Sequence, residues 1–132
     1  MALDDLMYFR TAADGNLTAD EAETTHIVDL GPGGTPLGGT VCWVRVPSIT
    51  STDTMVVTVY ADDTAALTSP NESFVFDTIS AAGLFKMKVN TTKRYLGMKF
   101  DVTDVGGGGF SAGAVEAGVA GHEQRLVGGA RP

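Results

Sequence analysis

The chain has 132 residues, of which 43% are hydrophobic and 19% are charged, a composition that is ordinary for one globular domain. Its formal net charge of −7 argues against nucleic acid as a partner, because proteins that bind nucleic acid usually present basic surfaces. No apolar stretch reaches the length of about 18 residues that a membrane-spanning helix needs, and Asp4 and Asp5 stand where a secretory signal would carry positive charge. We therefore expect neither a membrane partner nor export by a standard signal.

Residues 1–24 predict an extended N-terminal arm. They contain six acids and one base without a clear period, and Gly15 and Asn16 interrupt any helix that begins before them. A cluster of apolar residues in this segment would be unfavourable in water, so we expect it to dock on the domain or on a neighbouring molecule. These interface candidates are Leu6, Met7, Tyr8 and Phe9.

The rest of the chain is predicted to form strands, because its apolar and polar residues alternate with the period of two that a strand with one buried face requires. In chain order the predicted strands cover residues 25–30, 40–46, 54–61, 73–79 and 84–89, a segment beginning near Tyr95, and a last segment at 115–120. Glycine, proline and Asx residues between them favour turns. This pattern predicts an all-β, single-domain β-sandwich or jelly roll over residues 25–121.

The same alternation predicts which side chains are buried. One parity of each strand is apolar and is expected to form the core between two sheets; its members include Met55, Val57, Val59, Phe85, Met87, Leu96, Met98 and Phe100. The other parity carries Lys86, Lys88 and Lys99, which are expected to face solvent. Because a tight turn joins the last two of these strands, we expect them to pair and to gather the three lysines in one basic patch, a further interface candidate.

No catalytic, metal or cofactor site is expected from the sequence. The segment Gly109–Gly113 matches the G-x-S-x-G pattern of a hydrolase nucleophile elbow, but a glycine run precedes it and a strand pattern follows it, where that elbow needs a strand and then a helix. His26 and His122 have no further ligands at metal-binding spacing. Cys42 is the only cysteine, which excludes an intrachain disulfide, and its apolar neighbours indicate a core thiol.

The charge is divided along the chain, with −10 on residues 1–80 and +3 on residues 81–132. Oppositely charged patches can meet across a contact between subunits or face a partner protein of opposite charge. Small residues on the last predicted strand and beside it, among them Ala114, Gly118 and Ala120, would allow close packing against a second copy. We therefore expect the protein to self-associate, with a trimer as the expected oligomer.

Three segments, in this order along the chain, resemble the small jelly-roll capsid decoration (cement) proteins of tailed bacteriophages. They are MYFRTAADGNLTADEAETTHIVDLG, TKRYLGMKFDV and GGFSAGAVEAGVAG, and the similarity runs from about Leu6 to Gly121. The most specific element is a KRYL strand followed by a G-F-S/T-A-G-x-V-x-A-G strand. The chain departs from the pattern in its GPGGTPLGG loop and in the segment after Gly121, which is predicted to be a flexible tail at 122–132.

The resemblance implies a non-enzymatic structural protein of the virion, without a cofactor, that binds the capsid exterior after assembly in the host cytoplasm. Its implied partners are the major capsid protein and other copies of itself, usually as a trimer, and its role is to clamp the shell against the pressure of packaged DNA. The alternative is a carbohydrate- or receptor-binding β-sandwich module on a virion. That class would be expected to show several exposed aromatic residues and a calcium site, whereas the chain has one Trp and three Tyr.

Overall fold

The computed structural model describes residues 7–50, 52–68 and 72–120, and within them it contains eight β-strands and a short 3-10 helix at Ala12–Asp14. In chain order the strands are β1 (Tyr8–Arg10), β2 (Ile27–Asp29), β3 (Thr40–Val46), β4 (Thr54–Asp62), β5 (Glu72–Val75), β6 (Gly83–Val89), β7 (Tyr95–Thr103) and β8 (Glu116–Val119). They form two antiparallel sheets of four strands, a first sheet ordered β1-β8-β3-β6 and a second ordered β2-β7-β4-β5. The predicted all-β sandwich is confirmed.

The two sheets enclose an apolar core that follows the predicted parity. Of the predicted core residues, Met55, Val57, Val59, Leu96, Met98 and Phe100 are buried, and Phe85 and Met87 are partly buried against them. The thiol of Cys42 also lies in this core, and burial raises its pKa to about 12. Burial penalises the charged thiolate, so the predicted role of this cysteine as a core residue is confirmed.

The described part of the predicted arm, residues 7–24, packs on the sandwich. β1 pairs with β8 as an edge strand, and its residue Phe9 is buried in the core. Leu17 is fully buried, and its backbone N–H donates to the carbonyl of Gly113 at 2.8 Å. Glu21 forms a bridge with Phe100 of the second sheet. This segment therefore contacts both sheets, whereas Leu6 and the predicted tail at 122–132 lie outside the described residues.

The predicted pairing of the strand at 84–89 with the strand that begins near Tyr95 is wrong. β6 pairs with β3 in the first sheet, whereas β7 pairs with β2 and β4 in the second. The connection crosses between the sheets because Thr91 is bound elsewhere: its carbonyl accepts from the N–H of Thr35 at 2.9 Å, and its hydroxyl donates to the carboxylate of Glu72. Anchored in this way, the connection does not turn back as a hairpin.

This topology also divides the predicted basic patch. Lys86 and Lys88 alternate with core-facing residues of β6 and lie on the outer face of the first sheet. Lys99 lies between the buried Met98 and Phe100 on β7, so it projects from the outer face of the second sheet. The three lysines are therefore on opposite faces of the sandwich, and they cannot act as one surface.

Candidate functional site

The described interface candidates of the N-terminal segment differ in their accessibility. Phe9 belongs to the core, whereas Met7 and Tyr8 are half-buried. The ring of Tyr8 meets Trp43 of β3 edge to face, with 5.7 Å between ring centroids. This aromatic pair leaves part of each ring on the outer face of the first sheet, where Trp43 lies on β3, the strand next to β6.

The opposite edge of the first sheet is formed by β6, and among the described residues no strand pairs with it on its outer side. Its seven residues pair continuously with β3, from Gly83 opposite Val46 to Val89 opposite Thr40. An unpaired edge of this length presents backbone donors and acceptors to any strand that approaches it. β6 is therefore the most exposed template for strand pairing in the first sheet.

The direction of the backbone groups on β6 follows from one hydrogen bond in the same sheet. Ala120 donates its N–H to the carbonyl of Val41 at 2.8 Å, so Val41 directs its backbone groups toward β8. Successive residues of an antiparallel strand direct these groups alternately toward its two neighbours, so Cys42 directs its groups toward Met87 of β6. The backbone groups that point to the open edge therefore belong to Leu84, Lys86 and Lys88.

Lys86 and Lys88 differ from the other basic side chains of the described residues. Of seven such side chains, five contact carboxylates: Arg10 with Glu21, Arg45 with Glu116, Lys93 with Asp63, Arg94 with Asp29, and Lys99 with Asp101. Lys86 and Lys88 are exposed, and neither has a carboxylate within ion-pair distance in the described part of the chain. The uncompensated positive charge thus lies on the open strand.

Two shallow clefts meet at the same strand. One, of about 270 Å³, lies on the outer face of the first sheet and is lined by Val41, Trp43, Leu84, Lys86 and Ala120. The other, of about 330 Å³, lies between β6 and the segment that follows β5, and is lined by Phe76, Asp77, Thr78, Leu84, Phe85 and Lys86. Leu84 lines both clefts and is 54% exposed, so the edge combines apolar surface with positive charge.

A third cleft, of about 410 Å³, lies beside the 3-10 helix and is lined by Tyr8, Arg10, Thr11, Ala13, Asp14 and His26. His26 contacts Asp14 with 3.1 Å between Nε2 and Oδ1. The pKa of Asp14 is lowered, first because its carboxylate accepts the N–H of Thr11 and then because of His26. These contacts hold the 3-10 helix against the start of β2, and no three His, Cys, Asp or Glu side chains converge in the described ranges as a metal site would require.

The segment Gly109–Gly113, which matches the hydrolase pattern, leads into β8. The backbone of Ser111 is tied to Thr50: Thr50 donates its N–H to the carbonyl of Ser111 at 3.1 Å, and Ser111 donates its N–H to the hydroxyl of Thr50 at 3.1 Å. These bonds fasten the chain before β8 to the loop after β3. His122 lies outside the described residues.

Arg10 has a buried side chain whose role was not predicted from the sequence. It is bound by Glu21 and by two backbone carbonyls beneath β1. The available signal was composition, since Arg10 is the one base among the acids of residues 1–24 and follows directly on an apolar cluster. An isolated base in such a place indicates a specific carboxylate partner.

No helix in the described residues has the length and apolar character needed to cross a membrane. No protein family, no curated protein and no solved structure matches this chain.

Proposed function

We propose that this protein is a non-enzymatic decoration (cement) protein that binds the outer surface of an assembled phage capsid and stabilises the shell. The observation that carries the proposal is the ordered resemblance of three segments to proteins of that class, from about Leu6 to Gly121. Two of these segments contain β7 and β8, which have a partner strand on each side in their respective sheets. In the proposed role they form the rigid scaffold, and the contacts with the shell are made from edges and outer faces.

The accessible edge of the first sheet supports the proposal. A cement protein acts through many copies whose individually modest contacts add together over the shell. The open β6 edge offers a contact of this kind, because it joins unpaired backbone groups, exposed Leu84 and the uncompensated charges of Lys86 and Lys88. The partner proposed for this edge is the major capsid protein, on the exterior of the virion.

The proposal includes self-association, with a trimer as the expected form. Of the small residues that favoured it, Gly118 is covered by the carbonyl of Met7 and by the rings of Tyr8 and Trp43, so it is not available to a neighbour. Support for the oligomer therefore comes from the divided charge and from half-buried Ala120 beside Trp43. Light scattering at high micromolar concentration measures the mass directly, and a strict monomer in solution and on the capsid would refute this part.

Binding to undecorated capsids of the same virus tests the main proposal. We expect the purified protein to co-sediment with these capsids, to appear as added density on their outer surface in electron micrographs, and to raise the temperature at which they rupture. A capsid saturated with the protein that ruptures at the temperature of the bare shell would contradict a cementing role. Absence of binding would contradict the function altogether.

A second candidate function is favoured by one observation, the accessible indole of Trp43 in the cleft on the outer face of the first sheet. Aromatic side chains with one accessible face are suited to bind sugar rings or a receptor protein. The alternative is therefore a carbohydrate- or receptor-binding module on a virion. Quenching of tryptophan fluorescence by a panel of glycans tests it, because the chain has one Trp.

A further inference from the structure

We propose that β6 accepts an extended acidic segment of the capsid protein as a fifth strand of the first sheet, with carboxylates at alternate positions beside Lys86 and Lys88. This inference rests on the proposed function for the identity of the partner. It specifies the chemistry of the contact, which combines backbone pairing along one strand with two charge pairs on its outer face.

The backbone of β6 is arranged for such an addition. Leu84, Lys86 and Lys88 direct their N–H and C=O groups to the open edge, while the residues between them pair with β3. An incoming strand would therefore find three donors and three acceptors along the β6 edge, spaced at every second residue. Strand addition of this kind supplies affinity through the main chain and specificity through alternate side chains.

Charge identifies the incoming segment as acidic. The outward side chains of the β6 edge are apolar, basic and basic in order, and the two lysines have no carboxylate partner within the described residues. Carboxylates directly across from them in an added strand would form cross-strand pairs, whereas like charges in that position destabilise pairing. A second copy that paired through its own β6 would bring lysines opposite lysines in the registers of greatest overlap, so the charge pattern disfavours a symmetric dimer here.

The cleft between β6 and the segment after β5 provides places for the apolar side chains that alternate with the carboxylates. An added strand would lie along Leu84 and Lys86, which line both clefts, and its side chains alternate between the two faces of the sheet. Those on the inner side would meet Phe85 and Phe76, whereas those on the outer side would be the carboxylates beside Lys86 and Lys88. The segment that fits best therefore alternates acidic residues with apolar ones.

Amide hydrogen exchange of the full chain tests the edge directly. The probe is a synthetic peptide of about eight residues that alternates glutamate and valine, the length of an ordinary strand, with a lysine-valine peptide as its matched control. We expect the acidic peptide to slow amide exchange at Leu84, Lys86 and Lys88 at least about tenfold. The exchange rates of Phe85 and Met87 should change little, because their amides already pair with β3. Unchanged exchange at saturating peptide, or equal protection by the basic peptide, would overturn the proposal.

Capsid binding by matched variants tests the same edge in the assembled particle. Lys86→Pro removes the outward N–H without removing a bond to β3, and Lys86→Ala removes the same charge but keeps that N–H. Proline should weaken binding at least about tenfold more than alanine, a difference that backbone pairing predicts and simple charge attraction does not. Equal binding by the two folded variants would overturn strand addition.

Charge reversal provides a second variant if the proline variant does not fold. Lys86→Glu combined with Lys88→Glu should weaken capsid binding at least about tenfold in low salt and less at high salt, because exposed charges are screened. If wild type binds capsids and this variant binds equally well, the edge proposal is wrong while the proposed function stands. If wild type fails to bind capsids, the function and the partner named here are both overturned.

Discussion

Arg10 and Glu21 form a bidentate ion pair, with Nε 3.0 Å from Oε1 and Nη2 2.9 Å from Oε2. The Arg10 side chain is 1% exposed, and its Nη1 also donates to the carbonyls of Gly15 at 2.8 Å and Val115 at 2.9 Å. The guanidinium of this β1 residue thus contacts three other segments. They are the turn at Gly15, the chain before β8 at Val115, and Glu21, which bridges to the second sheet.

Arg10→Ala should destabilise the fold by about 3 kcal/mol, because it leaves the carbonyls of Gly15 and Val115 without their donor and a partly buried carboxylate without its cation. Arg45→Ala is the matched control, since Arg45 contacts Glu116 but is 57% exposed, and it should cost at most about 1 kcal/mol. Urea unfolding of both variants measures the difference. Equal losses would contradict a structural role for the buried guanidinium.

Gly97→Ala tests a close approach in the second sheet. A Cβ at this position of β7 would collide with the backbone carbonyl of Glu23 and with a methyl group of Leu67. Because one of these atoms belongs to the backbone, relief requires a shift of the segment at residue 23, and we expect a loss of about 1 to 3 kcal/mol. Gly108→Ala is the control, as nothing lies within 4 Å of its added Cβ, and its thermal unfolding should stay close to that of wild type.

The sequence predicted the strands well where a single alternation governs a segment. β3 has the predicted bounds, Thr40–Val46, and the apolar parity of β4 and β7 is the observed one. Strand pairing was not predictable in the same way, because a hairpin and a crossing between sheets bury the same parity. What decides between them is a polar contact, the anchoring of Thr91 by Thr35 and Glu72, between residues distant in sequence.

The buried arginine escaped prediction for a different physical reason. Tyr8 lies opposite Gly118 and Arg10 opposite Ala117, so two steps on β1 correspond to one on β8. Such a bulge breaks the period of two, which allows the adjacent Phe9 and Arg10 both to be buried.

The candidate edge at β6 was predicted only in part. The alternation of the sequence indicated that its lysines face outward. The position of β6 at the edge depends on the order of strands in the sheet, which the alternation does not show.

Phe100→Ala and Lys99→Ala together test the register of β7. Phe100 is buried opposite Val57, and removing its ring should cost about 3 to 5 kcal/mol. Lys99 projects from the outer face, where it contacts Asp101 at 3.9 Å, so its truncation should cost at most about 1 kcal/mol. Thermal melts of the two variants provide the comparison. A larger loss for Lys99→Ala would mean that the strand is shifted by one residue.

Acid should remove a stabilising contribution from Asp14. Its folded-state pKa lies below the ordinary value of 3.8, chiefly because its carboxylate accepts the N–H of Thr11. The contribution is therefore fully present above pH 3.8 and is lost as pH falls through the lower, folded-state pKa. Asp14→Asn should reduce the free energy of unfolding at pH 6, and its stability should differ less from that of wild type as the pH approaches 2.

The control is Asp77→Asn, because no ion pair of Asp77 is present in the described residues. A gap between wild type and Asp14→Asn that does not change with pH would contradict this assignment.

The last prediction concerns residues 7–24, the described part of the segment that the sequence assigned to an extended arm. Leu17 is fully buried and is bound through its backbone to Ala112 and Gly113, so Leu17→Ala should cost about 2 to 5 kcal/mol. Leu37→Ala changes a fully exposed leucine in a loop and should leave the melting temperature nearly unchanged.

Deletion of residues 1–20 removes β1, Arg10 and Leu17 together, and we expect it to abolish cooperative melting because three links between the segment and the two sheets are lost at once. Such a variant would fail to bind capsids through unfolding, so it cannot by itself identify an anchor. Circular dichroism before any binding assay separates the two causes. A truncated chain that still melts cooperatively near the wild-type temperature would show that the segment is dispensable for folding, and its capsid affinity would then measure the contact itself.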